Sequence, residues 1–468
     1  MRTPIVVQVL PLVLMTQVLG CSLETKEEPV EQIQSSAGSL TTCSGFDTNF
    51  DVHPSLSYGA SFPRKKILIQ PDRKILAAGD CGDSACISRY SVDGTLDASF
   101  GASGTTKIDP DVRAGRMYLI YSAALQTTGK LVIAGVYTAG PYARSQGLLL
   151  RLLPNGTVDS SFGSGGRVYT DLGSSRYDGY RSLAIDGNDR IVVAGNGSDE
   201  KGSQLLVARH QADGPLDPTF ARAGIARILD VGDTACDYRI LNSVAVDSTS
   251  GSIFAAGKVC NAATYVDIVA IKLTGSGELD RSFGTYGGYT IQSHGIRDEA
   301  VDILINGGRI VVASNSDRVY PAPFMTTEVR GIYSLMGLTS VGRLDPSFGS
   351  AGVVSVDAGP LMDSDGMPLR VHMNAAVNGP DGKIITVGHI QLNATPSKPL
   401  LMRFSASGVL DSSIGRQGRY VWDCVTGNFS AVAVQSDRKI VTGGLTVIES
   451  TGAGDPRLVG SGMARFDP

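Results

Sequence analysis

The sequence has little net charge, no signature motif of a common enzyme family and no long helical pattern. Its formal charge is −4 over 468 residues, which is too small for the electrostatic footprint of a nucleic-acid-binding protein. The motifs HExxH, GxSxG, GxxxxGKS/T and GxGxxG are missing, which removes the usual metalloprotease, hydrolase and nucleotide-binding signatures. We therefore expect no enzyme activity, no cofactor and no nucleic-acid partner.

Glycine is abundant instead, with 57 residues, whereas aromatic residues make up only 6% of the chain. Many glycines combined with modest charge suit a fold with short strands and tight turns. The hydrophobic share of 42% is ample for a packed core. The composition therefore favours a β-rich protein.

Residues 1–20 have the pattern of an export signal. Arg2 gives a positive start, and Ile5 to Leu19 is mostly apolar. This run is too short and too interrupted for a transmembrane helix. It ends in Val-Leu-Gly followed by Cys21, which resembles the lipobox of bacterial lipoproteins. An ordinary secretory peptide with an incidental cysteine is the alternative.

The lipobox resemblance implies cleavage before Cys21, lipid attachment to that residue and a membrane partner. Ser22 follows the cysteine, whereas the family's inner-membrane retention signal is usually Asp at this place. We therefore expect a bacterial cell-envelope location with the outer membrane favoured, on either its periplasmic or its surface side. Residues 21–42 are acidic, Ser-rich and without apolar periodicity, which predicts a flexible tether.

Residues 43–468 contain a unit that repeats. A basic or small residue, an apolar run and Ala-Gly or a relative recur as KILAAG, KLVIAG, RIVVAG, SIFAAG, RIVVAS, KIITVG and KIVTGG. These seven copies end at Gly79, Gly135, Gly195, Gly257, Ser314, Gly388 and Gly444. A period of this length indicates a repeat architecture.

Two further patterns recur between these copies. The turn Leu-Asp-x-Ser-Phe-Gly follows the first six copies, with its aspartates at Asp97, Asp159, Asp217, Asp280, Asp345 and Asp411. An apolar strand with one basic residue precedes the turn, as in LLRL at Arg151, but the fifth unit has lost this residue near Met336. Each unit reads as four short strands, which in the third unit are 166–171, 181–186, 190–195 and 205–210.

Four-stranded units repeated seven times predict an all-β fold, a single seven-bladed β-propeller of antiparallel blades. The chain ends partway through a unit, and Phe46–Phe50 near its start resembles the missing turn. We therefore predict that the last blade is closed by the N- and C-terminal segments together.

The motifs resemble those of the delta-60 repeat family, a bacterial β-propeller repeat of undefined function. That pattern joins a PDGKIVVAG-like hairpin, an ARY strand and an LDxSFGxxG turn, present here as Gln70 to Gly79, Ile87 to Tyr90 and Leu96 to Gly104. The resemblance extends over Phe46 to Pro468. Because one aspartate and one basic residue occur in nearly every unit, we interpret them as structural: the aspartate caps its turn or pairs with the basic residue.

The connections between strands divide into two classes. The DGK-like hairpin and the LDxSFGxxG turn are nearly constant, whereas the other connections, which include loops predicted at residues 319–333 and 445–462, vary in length and content. Because variable loops on a rigid scaffold carry function, we expect a protein or glycan ligand at the variable end of a monomeric body. The candidate ligand residues are Arg116, Tyr118, Tyr142, Arg144, Arg176, Tyr177, Tyr180, Tyr238, Arg239, Tyr265, Tyr320 and Phe324.

An even number of cysteines remains once Cys21 is set aside. They are Cys43, Cys81, Cys86, Cys236, Cys260 and Cys424, and in an exported protein they suggest disulfides. Cys81 and Cys86 could close one hairpin, and Cys236 and Cys260 belong to one unit. Cys43 and Cys424 remain by elimination. The spacing is too sparse for a metal site.

The alternative to a binding or scaffold module is a carbohydrate-active propeller enzyme, either a glycoside hydrolase or a lyase. His372 and His389 share one unit, and Asp363, Asp365 and Asp381 are near them in sequence. Carboxylates in such loops could flank a sugar. Loop composition explains the same residues, so we favour the binding module.

Overall fold

The computed structural model describes residues 64–109, 116–140, 142–173, 175, 177–200, 202–229, 231–232, 238–321, 327–356, 370–391, 397–415, 418–422, 426–451 and 455–466. All of them belong to the compact unit Cys43–Pro468. They form antiparallel β-sheets and one three-residue 3-10 helix at Pro380–Gly382. Within these ranges no helix is long and apolar enough to cross a membrane.

The first three sheets are four-stranded meanders. Sheet I contains β1 (Arg64–Ile69), β2 (Ile75–Cys81), β3 (Ser84–Tyr90) and β4 (Thr105–Ile108). Sheet II contains β5 (Met117–Leu125), β6 (Leu131–Thr138), β7 (Ser145–Leu152) and β8 (Arg167–Thr170). Sheet III contains β9 (Gly179–Ile185), β10 (Ile191–Asp199), β11 (Gly202–His210) and β12 (Ile225–Ile228).

Sheet IV has eight strands in two halves. Half IVa contains β13 (Arg239–Val246), β14 (Ile253–Asn261), β15 (Tyr265–Leu273) and β16 (Tyr289–Gln292). Half IVb contains β17 (Arg297–Asn306), β18 (Arg309–Pro321), β19 (Thr327–Leu338) and β20 (Val353–Val356). One parallel pair, Val266 with Arg297, joins them.

The last two sheets follow the same order. Sheet V contains β21 (Arg370–Asn378), β22 (Ile384–Gln391), β23 (Lys398–Phe404) and β24 (Arg419–Val421). Sheet VI has three described strands, β25 (Thr426–Val434), β26 (Ile440–Thr451) and β27 (Asp455–Phe466). The all-β prediction is confirmed.

The boundary of the repeating unit differs from the prediction by one strand. Residues 166–171 were expected to open the third unit, but β8 pairs with β7 of sheet II. The LDxSFGxxG turn therefore joins the third and fourth strands of one sheet. Because alternate connections of a meander lie at the same end, the DGK-like hairpin and this turn still share one end, here called the constant end. The remaining connections share the variable end.

Two variable connections are shorter than expected because their strands continue. Residues 319–333 were predicted to be a loop, but β18 reaches Pro321 and β19 starts at Thr327. Residues 445–462 likewise contain the end of β26 and the start of β27. These two connections are thus long hairpins rather than open loops.

Each recurring aspartate pairs with a cation at the constant end. Asp159 Oδ2 lies 2.8 Å from Arg151 Nε and 2.9 Å from Lys130 Nζ, while its Oδ1 accepts hydrogen bonds from the backbone and side chain of Ser161. Although burial raises it, the pKa of Asp159 is held well below its usual range by Ser161, Lys130 and Arg151. The carboxylate therefore accepts the hydrogen bonds of the turn and forms ion pairs with two cations at once.

The fifth unit replaces its missing basic residue from a different strand. Arg309, at the start of β18, places Nε 2.7 Å from Asp345 Oδ2 and donates to Ser347 Oγ at 2.9 Å. Hydrogen bonds from Ser347 and Arg309 lower the pKa of Asp345 to about 2. The same ion pair is thus kept although the strand residue is the apolar Met336.

Four of the guanidinium groups also tie their sheet to the next sheet or half-sheet. Arg89 Nη1 donates to Pro154 O at 2.7 Å, and Arg309 Nη1 donates to Ala406 O at 2.7 Å. Arg151 and Arg209 make the equivalent bonds to Ala212 O and Gly275 O. In every case the acceptor lies three residues after the basic strand position of the following sheet or half-sheet.

The phenylalanine of the turn fills the space between neighbouring sheets. Phe100 is buried, with 1% exposure, and its ring faces Gly156 of sheet II. A Cβ atom at Gly156 would lie 2.8 Å from Phe100 Cδ2, and the φ angle there is +88°. Only glycine tolerates both the close contact with the ring and the positive φ angle, which explains its recurrence in the turn after each basic strand.

The first strands of successive sheets contact one another. The contacts run β1–β5, β5–β9, β9–β13, β13–β17, β17–β21 and β21–β25, and β25 also contacts β1. Sheets I and VI share a hydrophobic cluster that includes Ile67 and Tyr90 from one and Val441 and Met463 from the other. Arg465 Nη1 donates to Val92 O across the same junction.

Substituting Asp159 with alanine should destabilise the fold strongly. The change leaves Arg151, which is 4% exposed, without its anion, and breaking a buried pair in this way costs about 3–5 kcal/mol. Chemical denaturation of the purified protein measures the loss. Asp93→Ala, at an exposed turn carboxylate, is the control and should cost less than about 1 kcal/mol. Equal losses in the two variants would contradict the structural role.

Candidate functional site

Four exposed tyrosines lie at the variable end of sheets II to IVa. Tyr142 follows β6, Tyr177 lies between β8 and β9, Tyr238 precedes β13 and Tyr265 follows β14. Their exposed fractions are 88%, 63%, 46% and 72%. Large aromatic rings held in water on a rigid scaffold are typical of ligand contacts. Four of the predicted ligand residues are therefore exposed at this end of neighbouring sheets, and we call these four residues the tyrosine rim.

The connections that carry Tyr142 and Tyr177 are fixed to each other. Ser145 Oγ, after the first connection, donates to Asp178 O of the second at 2.6 Å. The Asp178 carboxylate accepts from Ser198 Oγ at 2.6 Å, and Asn196 Nδ2 donates to Tyr177 O at 3.1 Å. Burial raises the pKa of Asp178. These hydrogen bonds hold in place the two connections that carry the exposed rings.

Tyr265 has an unusual backbone. Its φ angle is +71°, a left-handed conformation that is rare for a bulky side chain. Asp267 holds the hairpin, because Thr264 Oγ1 donates to its Oδ1 at 2.7 Å and Asn261 Nδ2 donates to its Oδ2 at 2.5 Å. Strain of this kind persists at functional surfaces when the surroundings impose it.

Three other predicted ligand residues are buried, so the prediction is wrong for them. Tyr118, Tyr180 and Arg239 expose 0%, 0% and 3% of their surface. Tyr118 and Arg239 each lie three positions before the bulge residue of a first strand, and both side chains are directed into the protein. Arg239 Nε donates to Val231 O at 2.9 Å, which anchors the preceding connection. These residues hold the variable connections instead of contacting a ligand.

Tyr180 is paired with a buried histidine. Its hydroxyl lies 2.9 Å from His210 Nε2, and His210 Nδ1 lies 2.7 Å from Gly214 O. Burial lowers the pKa of His210 to about 4, so the imidazole is neutral near pH 7. Nδ1 therefore donates to the carbonyl and Nε2 accepts from the tyrosine.

The remaining predicted residues are placed as follows. Arg144 is exposed and Arg116 is half-buried. Arg176 and Phe324 lie outside the described residues. Tyr320 lies in β18, and its side chain is outside the described part.

Sequence reasoning missed a second set of polar residues on the first strands. The residues at the bulges of β5 and β9 are Tyr121 and Arg181, and the Arg181 guanidinium carbon lies 4.4 Å from the centre of the Tyr121 ring. The bulge residue of β13, Asn242, donates to Glu299 Oε1 at 2.8 Å. Lys258 Nζ lies 2.9 Å from Glu299 Oε2. No sequence pattern marks a bulge, so these residues had no signal.

Asp302 also belongs to this set, but its contacts are structural. Its Oδ1 accepts from Ser243 Oγ at 3.0 Å, and its Oδ2 accepts from Ala376 N of the next sheet at 2.8 Å. Burial raises its pKa, and the charge of Lys66 opposes that effect. Ser243 accepts from Ile303 N in the same way, so Asp302 is one of a series of ties between first strands.

The two histidines of the enzyme hypothesis lie together, but Asp381 is not beside them. The rings of His372 and His389 stack with centres 5.3 Å apart, and burial lowers the pKa of His389 to about 4. Asp381 lies at the constant end, 3.3 Å from Arg438, so the prediction that it joins the pair is wrong. Asp363 and Asp365 lie outside the described residues.

Cysteine and metal predictions have separate outcomes. Cys81 and Cys86 form the predicted disulfide, which closes the β2–β3 hairpin. Cys260 is also disulfide-bonded, and its predicted partner Cys236 lies outside the described residues, as do Cys21, Cys43 and Cys424. The described residues contain no group of three or more histidine, cysteine or carboxylate side chains arranged to hold a metal ion.

The sequence is similar to a known repeat model. Residues 70–100, 126–162, 187–220 and 379–413 match the model described as "Domain of unknown function (DUF5122) beta-propeller". The matches cover the constant hairpin and turn of sheets I, II, III and V. They support a β-propeller repeat family. No curated protein shows significant sequence similarity to the chain.

Solved propeller structures are similar in shape at low identity. Drosophila Semaphorin 2a is 8% identical, with a TM-score of 0.48 over 90% of this chain and 75% of that one. A polysaccharide lyase is 10% identical, with a TM-score of 0.46 over 87% and 91%. A catalytically inactive virginiamycin B lyase from Staphylococcus aureus is 8% identical, with a TM-score of 0.44 over 87% and 96%.

Proposed function

We propose that the protein is a membrane-anchored, extracytoplasmic lipoprotein whose seven-bladed β-propeller holds a glycan or protein ligand at its variable end. The observation that carries the binding role is the tyrosine rim: four exposed rings on neighbouring sheets, two of them on connections fixed by buried hydrogen bonds. The constant end is occupied by recurring ion pairs. The residues at the variable end can therefore differ between proteins built on this repeat while the fold is kept.

A closed ring of seven blades is the architecture that we propose. Sheets I, II, III and V, the two halves of sheet IV, and sheet VI would supply one blade each. The bond from Arg465 to Val92 O supports closure, because it repeats the sheet-to-sheet bond from Arg89 to Pro154 O. Sheet VI would take its fourth strand from the segment after Phe46–Phe50, which lies outside the described residues.

The lipid anchor at Cys21 is the other part of the proposal. It is supported by the lipobox pattern and by the acidic tether in residues 21–42. A tether of this composition would let the propeller stand away from the bilayer. The outer membrane is the favoured destination because Ser22 follows the cysteine.

A carbohydrate-active enzyme is the second candidate. The stacked pair of His372 and His389 favours it, because both imidazoles lie at the variable end. Within the described residues, however, the His372 imidazole hydrogen-bonds to the side chains of Asn315 and Asn374 and not to a carboxylate, and His389 Nδ1 is buried without a hydrogen-bond partner. Turnover of a glycan that is lost in His389→Ala would support this candidate over the binding module.

Removal of Phe46–Phe50 should weaken the whole propeller at once. If the segment completes the last blade, its loss opens the ring and lowers the melting temperature in a single transition. Calorimetry of the purified body measures this effect. Deletion of residues 26–30, within the tether, is the matched control and should leave the melting temperature unchanged. An unchanged melting temperature in both variants would refute closure by this segment.

Substitution of Cys21 with serine should release the protein from the membrane. Without the thiol no lipid can be attached, so metabolic labelling with palmitate and recovery in the membrane fraction should both be lost. Ser22→Ala keeps the attachment site and should remain labelled. Persistent labelling of the Cys21→Ser protein would disprove the anchor.

Removal of a rim tyrosine should weaken ligand binding. We expect Tyr142→Ala and Tyr177→Ala each to reduce affinity about tenfold or more, as truncation of an aromatic anchor does, for a ligand found on glycan arrays or in envelope fractions. Tyr286→Ala is the matched control, because Tyr286 is 57% exposed in a constant-end turn. Equal losses in all three variants would argue against binding at the variable end.

A further inference from the structure

Arg181 stands out among the charged residues of the first strands because its guanidinium lacks a polar partner. Its Nε atom is buried and makes no hydrogen bond, and among the described residues it has no ion pair. Two other bases of this region are compensated: Lys258 pairs with Glu299, and Arg239 donates to two carbonyl oxygens. A half-buried guanidinium without an anion is costly.

The position of Arg181 is fixed by an aromatic ring. Its guanidinium lies over the Tyr121 ring at 4.4 Å, an arrangement that orients the planar group, and its Nη1 and Nη2 atoms make no hydrogen bond to the described residues. Such a fork matches the two oxygens of a carboxylate better than an ammonium group does. The geometry is therefore that of a preorganised anion contact.

The site continues into the tyrosine rim. Tyr177 is four residues before Arg181 on the same chain segment, so their Cα atoms are at most about 13 Å apart. Tyr142 lies on the connection that Ser145 fixes to Asp178. An exposed aromatic ring can pack on the face of a sugar while a nearby fork binds its carboxylate.

We propose that Arg181 is the specificity-determining residue of this site and that the ligand is an acidic glycan, whose sugar carboxylate binds the guanidinium. The inference rests on the proposed binding role of the variable end and deepens it by naming the ligand class. Tyr121 acts as a positioning residue that holds the guanidinium. The rim tyrosines Tyr142 and Tyr177 contact the neighbouring sugars.

The test measures binding of four probes to the full propeller by calorimetry. They are a galacturonate oligosaccharide, its methyl ester, a glutamate peptide of similar charge, and inorganic phosphate. The wild-type protein should bind the oligosaccharide at least tenfold more tightly than each of the other three. Its affinity should fall as salt is added, because a charge pair is screened.

The variants separate charge from shape. Arg181→Gln should lose at least tenfold in affinity for the acidic oligosaccharide, and Arg181→Lys should recover only part of it. Arg343→Gln removes the same charge from an exposed hairpin at the constant end and should bind like the wild type. Melting temperatures check that each variant is folded. If Arg181→Gln does not fold, Tyr121→Phe is measured in its place. This variant keeps the aromatic ring beside the Arg181 guanidinium, so it should retain binding.

Several outcomes would overturn the inference. These are undiminished binding by Arg181→Gln, equal binding of the methyl ester, preference for the peptide or phosphate, or no binding of the acidic oligosaccharide at millimolar concentration. A neutral glycan or an envelope protein whose binding needs Tyr177 but not Arg181 would also overturn it. That last result would leave the proposed binding role intact, so the two failures are distinguishable.

Discussion

The structure depends on one interaction, the pairing of a turn aspartate with a guanidinium or ammonium group. In sheet II the carboxylate of Asp159 organises its own turn, forms ion pairs with Arg151 and Lys130, and so positions Arg151 to donate to a carbonyl of sheet III. One residue pair thus connects local turn geometry to contact between sheets. The same bond recurs from Arg89, Arg209, Arg309 and Arg465 to the following sheet or half-sheet, so it helps to place several sheets relative to their neighbours. The ion pair survives in half-sheet IVb, where Arg309 reaches Asp345 from a different strand. The turn requires a cation beside the aspartate carboxylate, and either strand can supply it.

This repetition explains why the two ends of the sheets differ in their capacity for function. At the constant end the polar groups already form hydrogen bonds within the turn, the ion pair and the bond to the neighbouring carbonyl. A substitution there therefore lowers the stability of the fold. At the variable end the connections are held in place by hydrogen bonds of buried side chains such as Asp178 and Arg239. The exposed residues of these connections, including Tyr142 and Tyr177, can be substituted without unfolding the sheets. A rigid base with exposed aromatic side chains is what a binding surface needs.

Much of the fold follows from the sequence, because the repeated motifs each have a local physical cause. The glycine facing Phe100 and the aspartate of the turn are needed in every unit, so they recur at a regular spacing that a single sequence reveals. The grouping of strands into sheets was wrong by one strand, because the turn motif itself does not say whether it joins two strands of one sheet or of two. Only the hydrogen bonds between β7 and β8 decide that question. The exposed rings at Tyr142, Tyr177, Tyr238 and Tyr265 were also found in advance, since they lie in the variable connections.

The sequence by itself determined the strand-rich repeat, the recurring ion pair, the Cys81–Cys86 hairpin and the variable connections, because each is encoded within a few neighbouring residues. Tertiary structure alone decided which tyrosines and arginines face solvent. Tyr180 and Tyr177 are three residues apart, yet one is buried against His210 and the other is exposed. Tyr180 lies in β9, whereas Tyr177 lies in the connection before that strand, and the point where the strand begins depends on pairing with a partner strand. For the same reason Arg181 gave no signal: its stacking on Tyr121 and its lack of an anion arise between two sheets, and no local pattern records them.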